Sequence, residues 1–110
     1  MLYFFDTSAL VKWYHKETGT SIVDKILRDL SNRVTTASLT WAETVSALNK
    51  IRNRNLITAD ELDIALSKLS DDYYSGRIQI IDIQRKHILQ SHDLILEFNL
   101  IASDAVILAC

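Results

Sequence analysis

Three short β-prone runs, each followed by a stretch of helical periodicity, limit what this chain can fold into more than any other feature. Leu2-Tyr3-Phe4-Phe5, Val34 to Ala37 and Ile78 to Ile81 read as strands, the first as a short buried one. Ala9 to Tyr14 predicts a short helix that stops near Gly19. Ile22, Val23, Ile26, Leu27 and Leu30 then recur on one helical face, with Asp24, Lys25, Arg28 and Asp29 turned away. Trp41, Val45, Leu48 and Ile51 predict a helix over Leu39 to Asn53. Thr58 with Glu61 is a capping box that opens a helix to Tyr74. A helix from about Gln84 to Phe98 ends near Asn99, and a last one starts at Ser103 and runs into Cys110. Strands alternating with helices predict an α/β fold, a three-layer α/β/α sandwich with a parallel sheet covered on both faces.

The 110 residues suffice for one domain, 1–110, with a real core. Proline is absent and there are two glycines, so few long irregular loops are expected. A formal net charge of −2 gives no general attraction to nucleic acid or an anionic membrane. Binding to nucleic acid then falls to a local basic patch or to bound cations. Cys110 is the sole cysteine, which excludes an internal disulfide and a thiolate zinc cluster and fits a cytoplasmic protein. The start lacks the features of a signal peptide, and no run approaches the roughly 20 apolar residues of a membrane helix. Ala105 to Cys110 carries no helix stop signal, and three strands make a thin sheet. The expectation is a domain that lacks its C-terminal strand.

Three acids occupy comparable points of this pattern. Asp6 ends the first strand, where open α/β sheets keep their sites. Glu43 falls in the first turn of the helix after the second strand, and Asp104 in the first turn of the last helix. Strand ends and the starts of the following helices share one edge of such a sheet, so Asp6 and Glu43 can converge directly, and Asp104 can if its helix packs over that edge. Gathered carboxylates repel one another and need a cation or shifted pKa values. Hard oxygen ligands without Cys or His select Mg²⁺ or Mn²⁺. Each acid also has a structural reading. Asp6 is a candidate helix cap, Glu43 stands three residues after Thr40 at capping-box spacing, and Asp104 follows Ser103 where it complements a helix dipole.

Asp6-Thr7-Ser8-Ala9-Leu10-Val11-Lys12, Ser38-Leu39-Thr40-Trp41-Ala42-Glu43 and Ala102-Ser103-Asp104-Ala105, in that order and spacing, resemble the PIN-domain family. The VapC-like toxins of toxin–antitoxin pairs are the most similar members. The resemblance implies a metal-dependent endoribonuclease that cleaves single-stranded RNA. It implies that Asp6, Glu43 and Asp104 hold Mg²⁺ or Mn²⁺, with the hydroxyls of Ser8 and Thr7 supporting the first carboxylate. It also implies a small cognate antitoxin, inserting a basic side chain toward the acids, and a homodimer formed through helices. Two departures stand out. Relatives usually continue into a further strand that ends in a fourth acid, and the residue at Ile101 is often basic or histidine in them. Three carboxylates suffice for one metal, since Mg²⁺ keeps several waters; a second metal needs the fourth acid.

The remaining polar residues read as structural. Lys50, Arg52 and Arg54 cluster at a helix C-terminus, which favours positive charge; the functional alternative is a phosphate-contacting patch. Lys12 reads as a solvated helix residue, and His15 as exposed. His87 and His92 are five apart, off a common helix face, so they make no metal pair. Tyr73, Tyr74 and Trp41 read as core. No glycine-rich phosphate loop and no nucleophile elbow is present. Two other classes compete with a nuclease. A catalytically impaired module that lacks the fourth acid would bind RNA or protein without cleavage. A phospho-acceptor domain would need an acid pair after the first strand, where this chain has hydroxyls.

Overall fold

The computed structural model describes residues 1–100 together with Val106 and Ala109. The expected helix Ser103 to Cys110 lies outside the described residues except at those two positions, which are helical. The described elements run β1 (Leu2–Phe4), α1 (Thr7–Tyr14), α2 (Thr20–Arg28), β2 (Arg33–Ala37), α3 (Ser38–Asn53), α4 (Ala59–Tyr74), β3 (Ile78–Ile81) and α5 (Arg85–Phe98). The strands form a parallel sheet in the order β1-β2-β3, with Tyr3 beside Val34 and Val34 beside Ile78. This is the mixed α/β fold that the alternation of strands and helices predicts.

Period-two alternation divides the sheet into two faces. Tyr3, Phe5, Val34 and Ile78 point to one face and meet Leu10 of α1, Val23 and Leu27 of α2 and Leu69 of α4 in the main core. Val11, Leu48 and Ala65 form a second cluster where α1, α3 and α4 meet. Leu2 and Phe4 alternate to the opposite face and are exposed, as is Ile81 on β3. The expectation of a wholly buried first strand is therefore corrected: Phe5, just past β1, is the residue of that run with full burial.

Two connections are held by one residue each. Gly19 caps α2 at φ +93°, and a Cβ there would come within 3.0 Å of Lys12 Cε, so glycine meets both a backbone and a packing demand. Arg77, immediately before β3, donates from Nε to Leu27 O at 3.0 Å and from Nη1 to Asn32 O at 3.3 Å. Its guanidinium thereby satisfies a carbonyl at the end of α2, where helices leave acceptors without partners.

Several side chains differ from their sequence reading. Tyr73 and Tyr74 are exposed rather than in the core, with Tyr73 edge-on to partly buried Trp41 at 5.4 Å and Tyr74 tilted against Tyr73 at 5.1 Å. They close the solvent side of α4's last turn, where burial is unavailable. His15 is partly buried, not exposed; it is the C-cap of α1, and its backbone N–H returns to Val11 O. His87 is buried, and its Nδ1 accepts from Gln84 N–H at 3.0 Å to cap α5.

Candidate active site

Parallel strands end on one edge, and the acids of the described residues follow that rule. The chain leaves β1 at Phe5, whose N–H donates to Thr35 O at 2.8 Å and whose carbonyl accepts the buried Thr36 hydroxyl at 2.7 Å. Asp6 is thus attached to the sheet by backbone and side-chain bonds immediately before it. Its carboxylate caps α1, with Oδ1 accepting from Ala9 N–H at 2.9 Å and from the Ser8 hydroxyl at 2.9 Å. Both bonds fall on one oxygen. The capping reading of Asp6 is realised, and Oδ2 stays outside this local network.

Glu43 arrives differently. α3 begins at Ser38 with no intervening loop after β2, so Glu43 lies in the second turn and not in the first. The N-cap of α3 is Ala37, which offers no side-chain bond, so the Thr40–Glu43 capping box does not form. Glu43 Oε1 instead accepts from the Thr7 hydroxyl at 3.1 Å. Thr7 therefore serves the second acid, whereas Ser8 serves the first; the expectation had both hydroxyls on Asp6. The bond links the residue next to Asp6 to Glu43, so α1 and α3 meet at this edge. Asp104, Ser103 and Ile101 lie outside the described residues.

Among the described residues neither Asp6 nor Glu43 is in an ion pair. Lys12, one turn along α1 from Ser8, donates to Ser8 O at 3.1 Å and pairs with Glu17 at 3.6 Å, the one ion pair among the described residues. Lys50 and Arg52 lie in the last turn of α3, at the far end of that helix from Glu43. Among the described residues no three His, Cys, Asp or Glu side chains gather as a metal cluster. The donor set that Asp6, Glu43, Ser8 and Thr7 do present is wholly hard oxygen without a basic partner, which fits Mg²⁺ or Mn²⁺.

Asp82 escaped the sequence reading. It follows β3 directly, as Asp6 follows β1 closely, and is exposed on the same edge. The signal was there in Ile78-Gln79-Ile80-Ile81-Asp82, a β-prone run ended by an acid. With β2 between them, the backbones of β1 and β3 are about 10 Å apart, so Asp82 starts two strands away from Asp6. At the opposite end of the sheet lies a cleft of about 490 Å³ lined by Arg33, Asn32, Gly76, Arg77 and Gln79. It is remote from the acids, and its Arg77 is spent on backbone carbonyls.

The fold and this edge define an α/β domain with a small acidic site braced by hydroxyls at the carboxyl ends of a parallel sheet. The PIN domain family model matches residues 3–110, and the chain belongs to that family. Solved structures share the fold. VapC20 from Mycobacterium tuberculosis, a sarcin-ricin loop cleaving toxin, aligns with a TM-score of 0.74 at 13% identity, covering 99% of this chain and 79% of that one. A toxin–antitoxin complex from Klebsiella pneumoniae aligns at 0.65 and 23% identity, covering 96% and 74%. VapBC2 from Rickettsia felis, bound to a DNA fragment from its promoter, aligns at 0.62 and 20% identity, covering 99% and 79%. No curated protein matches the sequence. Among the described residues no helix is long and apolar enough to cross a membrane.

Proposed function

We propose that this protein is a Mg²⁺- or Mn²⁺-dependent endoribonuclease that cuts single-stranded RNA, the toxin of a toxin–antitoxin pair. The observation that carries the reading is the Thr7–Glu43 bond, which ties the residue after Asp6 to a second acid at one sheet edge, with neither acid in an ion pair among the described residues. Membership of the PIN domain family and the shared fold of the toxins support it.

Asp6 and Glu43, with Asp104, would hold the cation. When bound, the ion neutralises a scissile phosphate and lowers the pKa of an attacking water. Asp6 is the fixed member, held by the cap and by Ser8. Thr7 holds one oxygen of Glu43, and the other would serve as a ligand or orient the attacking water as a base. No side-chain nucleophile is required. A small antitoxin would cover the acidic edge and supply the missing positive charge, and two copies would pair through helices in the cytoplasm.

Asp6→Asn tests this cleanly, because asparagine caps a helix as well as aspartate does. The variant keeps its thermal midpoint and loses Mg²⁺-dependent cleavage of an unstructured RNA. Full cleavage by the variant would remove the proposal. RNA binding without cation-dependent cleavage in the unaltered protein would establish the impaired-module reading instead.

A further inference from the structure

An RNA strand needs cations to hold it, because the net charge of −2 and the carboxylates of the edge both repel its phosphates. The fold distributes the twelve Lys and Arg residues unevenly. Arg33 opens β2 and Arg77 stands just before β3, at the amino ends of the strands. Lys25 and Arg28 fall in the last turn of α2, which leads to that same end. Lys50 and Arg52 fall in the last turn of α3, and Arg54 caps it; Lys16 follows the C-cap of α1. Lys68 sits over the Trp13 ring, and Lys12 is committed to Ser8 O and Glu17. Arg85 and Lys86 remain, and they follow the carboxyl end of β3.

Both are exposed and fill the first two positions of α5. Positive charge is disfavoured there, at the positive end of a helix dipole, and α5 has no acid in its first turn to offset it. Among the described residues neither is in an ion pair, with Asp82 or any other acid. Even the cap avoids a carboxylate. A capping box ordinarily takes Glu or Gln at the third helical position, whereas here buried His87 accepts from Gln84 N–H through Nδ1 at 3.0 Å. The turn is also tied to the edge. Ile83 N–H donates to the Ser38 hydroxyl at the start of α3 at 3.1 Å, and Arg85 is two residues further on, at most about 7 Å of chain. Continuing the β1–β2 register by two residues sets Asp6 level with Ala37, which is level with Ile81. Resting on the RNA-cutting reading above, we propose that Arg85 and Lys86 are substrate-binding residues that hold backbone phosphates flanking the one being cut. An RNA strand crossing the three strand ends with one phosphate at Asp6 would meet the pair as it passes β3. The guanidinium suits a two-point grip on a phosphate, and the ammonium a single charged contact.

The experiment compares the unaltered protein with the double variant Arg85→Gln, Lys86→Gln and with a charge-matched control, Lys50→Gln, Arg52→Gln. Binding of a fluorescein-labelled, unstructured RNA oligonucleotide is read by anisotropy in EDTA across a range of salt concentrations. The thermal midpoint and Mg²⁺-dependent cleavage are read alongside. The double variant is expected to bind about tenfold more weakly at low salt. Its plot of log affinity against log salt is expected to be shallower by about 1.4, since each phosphate contact on a single strand contributes roughly 0.7. Its midpoint should hold or rise, because two cations leave the positive end of α5. The control should bind as the unaltered protein does. A lowered midpoint with an unchanged slope is the mark of a structural role and overturns the proposal. An equal loss in the control overturns it too, because the pair would then act through net charge alone. Unchanged affinity and slope in the double variant assign the pair to an acidic protein surface and overturn the proposal, as does an unaltered protein that binds no RNA. If the slope falls as expected but the unaltered protein cuts no RNA with Mg²⁺, the pair stands and the nuclease reading falls. If the unaltered protein cuts and the slope does not change, the pair alone is overturned.

Discussion

The Thr7 hydroxyl donates to Glu43 Oε1 at 3.1 Å, so the first residue of α1 reaches an acid in the second turn of α3. Thr7→Val, which keeps the shape and deletes the donor, is expected to slow Mg²⁺-dependent RNA cleavage by about tenfold to a hundredfold. The stability loss should stay near 1 kcal/mol, the net worth of one hydrogen bond. Initial rates and urea unfolding of the same preparation check both.

Asp82 shares the edge but not the cluster. A Mg²⁺ or Mn²⁺ ligand must come within about 2.1 Å of the ion, and Asp82 begins two strands from Asp6. Asp82→Asn is expected to leave the Mn²⁺ dissociation constant of the protein unchanged. Titration calorimetry of the variant beside Asp6→Asn separates the two acids.

A second polar bracket joins α1 to α4 behind the site. Asp72 Oδ2 accepts from Trp13 Nε1 at 2.9 Å and from the Tyr14 hydroxyl at 2.8 Å, while Lys68 Nζ stands 3.8 Å over the Trp13 ring. Removing the shared acceptor strands two donors at once. Asp72→Ala is expected to cost about 2–3 kcal/mol in denaturant unfolding. Asp72→Asn should cost clearly less, because an amide oxygen still accepts.

The same bracket makes stability sensitive to alkali. Burial first, and then the adjacent Asp72 carboxylate, push the Tyr14 phenol above its ordinary value. The folded state therefore keeps a proton that the unfolded chain releases from about pH 10 upward. Tyr14's contribution is fully present below that pH and is lost as the pH climbs past it. Unfolding free energies between neutral and strongly alkaline pH should fall in the unaltered protein, and Tyr14→Phe should flatten that fall while starting from a lower neutral-pH value.

The sequence was legible where local pattern decides. Capping chemistry gave α4, with Thr58 and Glu61 bonded reciprocally, and the β-prone runs gave all three strands and hence the parallel fold. It was legible at Asp6 and Ser8, two residues apart, because their bond is local. It was misleading where an alternative partner lay far along the chain. Thr40 and Glu43 have capping-box spacing, but Thr7 across the fold takes the glutamate instead. Tyr73 and Tyr74 look like core by type, yet the end of α4 turns them to solvent. Asp82 ends a β-prone run as Asp6 does, but no pair of hydroxyls like Thr7 and Ser8 follows it to mark it.

The mounting of Asp6 has a consequence for how the protein is made. β1 pairs with β2 alone among the described residues, and the carbonyl before Asp6 is gripped by a hydroxyl 31 positions later. As the polypeptide leaves the ribosome amino end first, its opening segment can form neither ladder nor strap until Thr36 has emerged. The cap from Ser8 and Ala9 can form early, but the anchoring of that carboxylate to the sheet waits for the central strand beside it.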